Sequence, residues 1–155
     1  MSRIKKKIFL TLTLLLLACV LFSQDIVLKN GKYYQGKTLY TGQYTEFYPD
    51  GKIMAERNLT GGVANGITMI YYENGIKKEQ QSYSNGLKDG LWITWNEKGI
   101  KTGEANYKND LKEGPWNIWD DNGTLRYKMF YAHGEKTGTW TQYDNQGNQV
   151  ASKTF

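Results

Sequence analysis

The sequence contains few of the residues from which most enzyme sites are built: one cysteine, one histidine and two prolines among 155 residues. Cys19 lies in an N-terminal apolar run, so a chain cleaved after it has no thiol for a disulfide, a nucleophile or a zinc site. Any Ser-His-Asp or Cys-His arrangement would depend on His133, whose position predicts a solvated turn residue. No glycine-flanked serine and no pair of carboxylates suited to glycoside hydrolysis stands out. We therefore predict a non-enzymatic protein with no catalytic residue, cofactor or metal site.

The first 24 residues have the pattern of a secretory signal peptide. A cationic head at residues 3–7 precedes an uncharged, leucine-rich run over 8–22, which is short for a helix that crosses ~30 Å of hydrocarbon. A signal anchor is one alternative. Lipidation of Cys19 is another, because Leu16-Leu17-Ala18-Cys19 resembles the lipobox of bacterial lipoproteins. We expect export to the periplasm, the outer envelope or the extracellular space, with membrane attachment only through an anchor or a lipidated Cys19.

The basic charge of the full chain comes mainly from this segment. The chain has 20 Lys and Arg against 15 Asp and Glu, and four of the cations but none of the acids lie before residue 25. The remainder therefore carries 16 minus 15, or +1. Binding to nucleic acid needs a basic face or stripe, so we expect no nucleic-acid partner.

Glycine recurs with a period of 24 residues from Gly42 to the end of the chain. We number the positions of each unit from its first glycine, which is position 0, and a second glycine stands at position 9. The ten repeat glycines are Gly42, Gly51, Gly66, Gly75, Gly90, Gly99, Gly114, Gly123, Gly138 and Gly147. Such regularity indicates one structural unit repeated in tandem.

Aromatic residues follow the same period. Position 2 holds Tyr44, Thr68, Trp92, Trp116 and Trp140; position 5 holds Phe47, Tyr71, Trp95, Trp119 and Tyr143; position 17 holds Leu59, Tyr83, Tyr107, Tyr131 and Phe155. Positions 2 and 5 are an odd number of residues apart, so a regular strand would place them on opposite faces. Either a bulge intervenes or both faces of the structure are partly covered.

Each unit is predicted to form a β-hairpin. Polar residues ending in the glycine of position 9 predict one tight turn, and pairs such as Asn85-Gly86 predict a second. Packed residues at positions 11, 13, 15 and 17 alternate with polar ones, which predicts a strand with one packed face and one wet face. Because an isolated hairpin is marginally stable in water, each unit must pack against its neighbours.

These patterns predict an all-β repeat solenoid of stacked β-hairpins, forming an elongated, twisted, single-layer antiparallel sheet. Residues 25–41 are predicted to form an N-terminal capping hairpin that is out of frame with the repeat. Residues 42–155 form units starting at 42, 66, 90, 114 and 138. The edge of the last hairpin is expected to be open, and open edges can pair with another chain.

The glycine and aromatic pattern resembles a known family. Residues such as GLWITWNEKG, starting at Gly90, followed by NYKNDLKEG, make the chain similar to the bacterial variant of the MORN repeat, found in proteins often labelled antitoxin components of the YwqK type. The resemblance covers residues 42–155. It implies a single-layer antiparallel sheet and a role in attachment to proteins or membrane surfaces.

The tryptophans and the charged strand residues are the candidate binding groups. The tryptophans are interpreted either as the core or as an open platform for sugar rings or quaternary ammonium groups. Solvent-facing candidates are Lys77, Lys78, Lys101 and Arg126. We hypothesise a protein-interaction scaffold at the bacterial envelope with an unknown protein partner. The alternatives are a module that binds cell-wall glycan and an antitoxin-like component of a toxin–antitoxin pair.

Overall fold

The computed structural model describes residues 25–155, which form β-strands, turns and connecting residues without a helix. The proposed signal peptide and Cys19 lie outside this range. The strands are β1 (Ile26–Lys29), β2 (Lys32–Gln35), β3 (Thr38–Leu39), β4 (Gly42–Phe47), β5 (Ile53–Thr60), β6 (Val63–Tyr71), β7 (Lys77–Ser84), β8 (Leu87–Lys88), β9 (Gly90–Trp95), β10 (Lys101–Lys108), β11 (Leu111–Lys112), β12 (Gly114–Trp119), β13 (Leu125–Ala132), β14 (Glu135–Tyr143) and β15 (Gln149–Thr154).

The strands form two antiparallel sheets. The large sheet has twelve strands: ten run in the order β15-β14-β13-β12-β10-β9-β7-β6-β5-β4, and the short strands β8 and β11 pair with β7 and β10. The small sheet has the order β1-β2-β3. Neighbours along the chain are neighbours in the sheet, as expected for successive hairpins. The prediction of an all-β chain of antiparallel hairpins is confirmed.

Two kinds of turn connect the strands. At the first turn, the N–H of position 9 donates to the carbonyl of position 6, as in Gly123 to Asp120 (2.9 Å). At the second turn, both central residues have positive φ, as in Asn85 (49°) and Gly86 (86°). This conformation is a type I′ turn, whose twist matches that of the flanking strands. The second residue of this turn also bonds to the preceding unit, as in Gly86 N–H to the Ala64 carbonyl (2.7 Å).

A β-bulge interrupts the second strand of every unit at position 12. In unit 4, Trp119 pairs with Leu125 and Ile118 pairs with Tyr127, which leaves Arg126 without an opposite residue. Position 11 therefore faces the same side as position 5, whereas positions 13, 15 and 17 share a face with positions 2 and 4. The prediction that positions 11, 13, 15 and 17 lie on one face is wrong at position 11, because the extra residue reverses the alternation.

A second irregularity lies at position 0. Between the pairs Tyr83–Lys88 and Glu79–Thr94, the chain has two more residues on the side that contains Gly90 than on β7. Gly90 has a φ of +99°, a conformation that suits glycine. Because this irregularity precedes position 2, the first strand is regular between positions 2 and 5. The two aromatic columns consequently lie on opposite faces, and each face is partly covered by its own column.

The small sheet contacts the first unit of the large one. The Tyr33 N–H donates to the Gly62 carbonyl (2.9 Å), and the Tyr33 ring lies 5.3 Å from that of Tyr44. The Gly62 N–H donates to the Tyr40 carbonyl (2.8 Å), and the bond from Gly86 to Ala64 repeats this contact 24 residues later. Tyr40, at the end of segment 25–41, therefore already follows the repeat.

Few residues are fully buried in the described part of the chain. The buried hydrophobic residues are Ala55, Leu59 and Tyr131, and Thr68 is buried as well. The five tryptophans are all of intermediate exposure. Stability therefore depends on contacts between partly exposed side chains and on hydrogen bonds between units rather than on a thick core.

Candidate functional site

A row of aromatic rings runs along the face that carries positions 2 and 17, which we call the ladder face. Its rings are Tyr83, Trp92, Tyr107, Trp116, Tyr131, Trp140 and Phe155. Successive centroids are 5.4, 5.4, 5.1, 5.2, 5.2 and 5.0 Å apart, and the planes are inclined by 56° to 65°. Edge-to-face contacts of this kind are favourable beyond the area that they bury. The row, called the aromatic ladder below, thus couples units 2 to 5.

Tryptophan at position 2 also satisfies a backbone carbonyl of the preceding strand. The indole Nε1–H of Trp92 donates to Ser82 O (3.0 Å), that of Trp116 to Asn106 O (2.9 Å), and that of Trp140 to Phe130 O (3.0 Å). All three bonds link consecutive units. These indole N–H groups are therefore engaged within the protein.

Three lysines at position 22 lie over the aromatic ladder. The Nζ of Lys88 is 4.5 Å from the Trp92 centroid and 4.9 Å from that of Tyr107. The Nζ of Lys112 is 4.5 Å from Trp116 and 4.6 Å from Tyr131, and that of Lys136 is 4.6 Å from Trp140 and 5.2 Å from Phe155. These distances are within the range of cation–π attraction. Each lysine thus occupies ring faces that the platform interpretation needs to be free.

Grooves lie beside the aromatic ladder. The larger, with a volume of about 370 Å³, has Trp92, Tyr107 and Trp116 on one side and Gly103 and Ala105 among its lining residues. A second groove of about 250 Å³ lies against Trp140 and Phe155. Gly103 and Ala105, the small residues at positions 13 and 15 of unit 3, leave the space of the larger groove. The grooves are the most apolar concave features beside the tryptophans, and Ile118 and Tyr127 are 42% and 41% exposed between them.

The phenols of Tyr33, Tyr83 and Tyr107 stay protonated over the ordinary pH range. Burial is the largest influence on Tyr33, Tyr83 and Tyr107, and it raises the pKa of each above its ordinary value of 10.0. In unit 1, the Tyr33 hydroxyl donates to Glu46 Oε1 (3.2 Å), and Arg57 pairs with Glu46 Oε2 (2.9 Å). The first unit is therefore polar and internally paired where units 3 to 5 are aromatic.

Thr68 interrupts the aromatic column of position 2 in unit 2. Its side chain is fully buried, and its Oγ1 has no hydrogen-bond partner. Replacing Thr68 with valine removes the unsatisfied hydroxyl while keeping the shape, so the free energy of unfolding should rise by about 1 kcal/mol. The matched control is Thr139→Val, because the Thr139 hydroxyl shares a hydrogen bond with Thr154 (3.0 Å) and is exposed. Urea denaturation measures both, and an unchanged midpoint for Thr68→Val would contradict the prediction.

The opposite face, called the reverse face below, carries the aromatic residues of position 5. Phe47 is 59% exposed there. Lys101 Nζ lies 4.2 Å from the Trp119 centroid and 2.8 Å from Glu104 Oε2, so it has partners within the protein. The Tyr71 hydroxyl donates to Glu56 Oε2 (2.7 Å). This face is therefore more mixed in charge than the ladder face.

The four charged strand residues predicted as binding groups do not form one surface. Lys77 and Lys101 stand at position 11 on the reverse face, whereas Lys78 and Arg126 stand at the bulged position 12. Lys78 Nζ lies 5.4 Å from the Tyr72 ring, and Arg126 donates through Nε to the Tyr143 carbonyl (3.0 Å). The prediction that these residues share one wet face is wrong, because the bulge separates positions 11 and 12.

The hydrogen bond between Tyr71 and Glu56 raises the pKa of Tyr71 to about 12. The folded value lies above the ordinary 10.0, so the stabilising contribution is complete below pH 10 and is lost as the pH rises through about 12. Glu56→Gln should move the titration of Tyr71 back toward 10, as measured by tyrosinate absorbance. Tyr71→Phe identifies the signal, because it removes that late step altogether. A late step that persists in Glu56→Gln would contradict the assignment.

A column of oxygen-bearing side chains just before position 0 was not recognised from the sequence. Thr41, Asn65, Asp89 and Glu113 accept hydrogen bonds from the first N–H of a type I′ turn, at distances from 2.8 to 3.4 Å. Their donors are Gly61, Asn85, Asn109 and His133. The side chain of His133 is 89% exposed. The signal was present, since all four residues carry an acceptor oxygen, but they differ in size and charge.

No group of three or more His, Cys, Asp or Glu side chains within residues 25–155 is placed to hold a metal ion. No helix in the same range is long and apolar enough to cross a membrane.

Comparison with known families gives one match. The model of the MORN repeat variant matches residues 40–59, 64–85, 88–109 and 112–133, which together exceed half of the 155 residues. All four segments begin two residues before position 0 of a unit, so the last two start at Lys88 and Lys112 of the lysine column. No curated protein matches the chain.

Proposed function

Because the chain belongs to the MORN repeat variant family, we propose that it is a non-enzymatic, exported scaffold that binds a protein partner at the bacterial envelope. In this proposal the large sheet acts as an elongated, single-layer solenoid. The observation that carries the proposal is the ladder face: partly exposed rings, fixed by indole-to-carbonyl bonds, beside shallow grooves. A preorganised surface of this kind loses little conformational entropy on binding.

The signal-like pattern of residues 1–24 supports export. Cell fractionation of the wild type and of Cys19→Ser tests this part of the proposal. Loss of membrane association in Cys19→Ser would favour lipidation, and equal release of both forms would favour ordinary signal cleavage. Retention of the unprocessed chain in the cytosol would contradict export and would favour the antitoxin-like role.

A module that binds wall glycan is the second candidate. The supporting observation is the groove of about 370 Å³ lined by Trp92 and Trp116, in which the hydroxyls of Thr94 and Thr102 lie 3.2 Å apart. Sugar rings can pack against tryptophan while hydroxyls supply hydrogen bonds. Recognition of quaternary ammonium groups has less support, because Lys88, Lys112 and Lys136 already occupy the ring faces.

Affinity capture from envelope extract tests the scaffold, with three versions of the full chain as bait. The wild type is compared with Ile118→Asp/Tyr127→Asp on the ladder face and with Phe47→Asp on the reverse face, all three residues being exposed. We expect one protein in near-equal amount with wild type and Phe47→Asp, and its loss with the ladder-face variant. Recovery of wall polymer without a protein would favour the glycan module, and recovery of neither would contradict both.

A further inference from the structure

The lysines of the aromatic ladder differ from the ion-paired lysines that the structure describes. Lys101 and Lys108 form ion pairs with Glu104 and Asp89 at 2.8 and 2.9 Å. Within residues 25–155, Lys88, Lys112 and Lys136 form no ion pair, although each is held over two rings. Their charges are thus fixed in position without a neutralising carboxylate.

The ladder-face strands around these lysines lack acidic side chains, although the Asp110 carboxylate in the adjoining turn accepts a hydrogen bond from the Lys88 backbone N–H (2.7 Å). No Asp or Glu occurs among the strand residues of 87–155 on the ladder face. These residues occupy positions 0, 2, 4, 13, 15, 17 and 22 and the bulged position 12. The acids of the same strands, Glu104 and Glu135, occupy positions of the reverse face. Lys153 adds a further cation, whereas Arg126 is paired with Asp120 (3.6 Å). The ladder-face strands of residues 87–155 therefore present a basic and aromatic surface that is complementary to an anionic partner.

The spacing of the lysines indicates the form of that partner. Successive lysines are one unit apart, and a unit contributes two strands to the sheet, or about 9.6 Å. A polyproline II helix has three residues per turn and a rise of 3.1 Å, so every third residue faces the same side at intervals of about 9.3 Å. An acidic residue at every third position would therefore lie opposite each of the three lysines. Flexible side chains can accommodate the difference of about 0.3 Å per repeat between the two spacings.

We propose that the ladder face of residues 87–155 binds an extended acidic peptide in the polyproline II conformation, with Asp or Glu at every third position. This inference rests on the proposed function as a protein-binding scaffold and names its class of partner. Lys88, Lys112 and Lys136 contact the carboxylates. The apolar residues between the acids enter the grooves beside Trp92, Trp116 and Trp140, since aromatic-lined grooves suit polyproline II segments.

The proposal is tested by measuring how two synthetic peptides of equal charge bind to the full chain. The first has three Glu-Pro-Pro triplets, and the second has three Glu-Pro-Pro-Pro quartets, which turn successive carboxylates to different sides. Tryptophan fluorescence and calorimetry should show that the triplet peptide binds about tenfold more tightly, because only it can engage three lysines together. Equal affinity for both peptides would overturn the proposal, since charge alone would then explain binding.

Matched variants identify the surface. Lys88→Gln/Lys112→Gln/Lys136→Gln should weaken binding of the triplet peptide by about tenfold, and the same three positions changed to arginine should retain it. Lys29→Gln/Lys37→Gln/Lys98→Gln removes equal charge from exposed positions away from the ladder face of residues 87–155 and should leave affinity unchanged. Circular dichroism checks that each variant remains folded. Equal weakening by the control set would overturn the proposal.

Other outcomes separate this inference from the proposed function. Anionic vesicles and an acidic polysaccharide are tested in parallel, and a preference for either over the triplet peptide would overturn the peptide assignment. A protein captured from envelope extract equally well by the glutamine variant would overturn the ladder-face inference while leaving the scaffold proposal intact. Capture of no protein, together with absence of triplet binding, would contradict both.

Discussion

Replacing Trp116 with alanine is expected to lower the free energy of unfolding by about 3 kcal/mol, the lower end of the range for a large aromatic residue. Trp116 stands in the middle of the aromatic ladder, with its centroid 5.1 Å from Tyr107 and 5.2 Å from Tyr131. Its loss also leaves the Asn106 carbonyl without the indole donor at 2.9 Å. Thermal unfolding followed by circular dichroism measures the change.

Two further variants separate the contributions of Trp116. Trp116→Phe keeps a ring but removes the indole hydrogen bond, so it should lower the free energy of unfolding by about 1 kcal/mol. Trp119→Ala on the reverse face removes a ring whose described aromatic contact is the cation–π pair with Lys101 at 4.2 Å, so about 1 kcal/mol is expected. A loss for Trp119→Ala as large as that for Trp116→Ala would show that the aromatic ladder is not the main stabilising feature. Because units stabilise their neighbours, Trp116→Ala should also broaden the transition.

Replacing Gly62 with alanine should destabilise the junction between the small sheet and the first unit by about 3 kcal/mol. Gly62 has a φ of +79°, and an added Cβ would lie 2.9 Å from the Tyr33 carbonyl oxygen and 2.7 Å from Leu39 Cδ2. The backbone conformation costs about 1 kcal/mol for a residue with a Cβ, and the forced contact adds about 1–3 kcal/mol. Amide hydrogen exchange should show faster exchange over β1–β3.

The neighbouring glycine supplies the control. Gly61 also has a positive φ, +56°, but an added Cβ there meets no atom within 4 Å. Gly61→Ala should therefore lose only the backbone contribution of about 1 kcal/mol and leave exchange in the small sheet nearly unchanged. Equal losses for the two variants would mean that the contact with Tyr33 has little effect on stability.

The hairpin order could be predicted from the sequence because glycine and aromatic residues recur without insertion, and glycine is needed where φ is positive. The face of the sheet on which each side chain lies could not be predicted in this way. The bulge at position 12 is occupied by Met54, Lys78, Thr102, Arg126 and Val150, which share neither size nor polarity. A bulge specified by backbone pairing leaves no side-chain signature at such a position, so the reversal at position 11 was missed.

The candidate site was predicted in part. The tryptophans of position 2 were recognised, but the alternatives of core and platform were both too simple, because their rings are partly exposed and in contact with lysine. The lysines at position 22 were missed, since a recurring Lys on a strand is ordinarily interpreted as a solvated charge and Ala64 interrupts the column in unit 1. Lys88 in β8 contacts the rings of Trp92 in β9 and Tyr107 in β10. Contacts of this kind become visible only when the register of the strands is known.

The linear strand order determines how the molecule would respond to tension. A force applied at Gly42 and Phe155 acts on the two edge strands of the large sheet, β4 and β15, and along the direction of its interstrand hydrogen bonds. The bonds are then loaded one strand at a time, so hairpins peel off in succession at low force. Each unit of 24 residues would release about 80 Å of chain. The same architecture that presents a rigid surface to a partner is therefore an extensible spring when its ends are pulled.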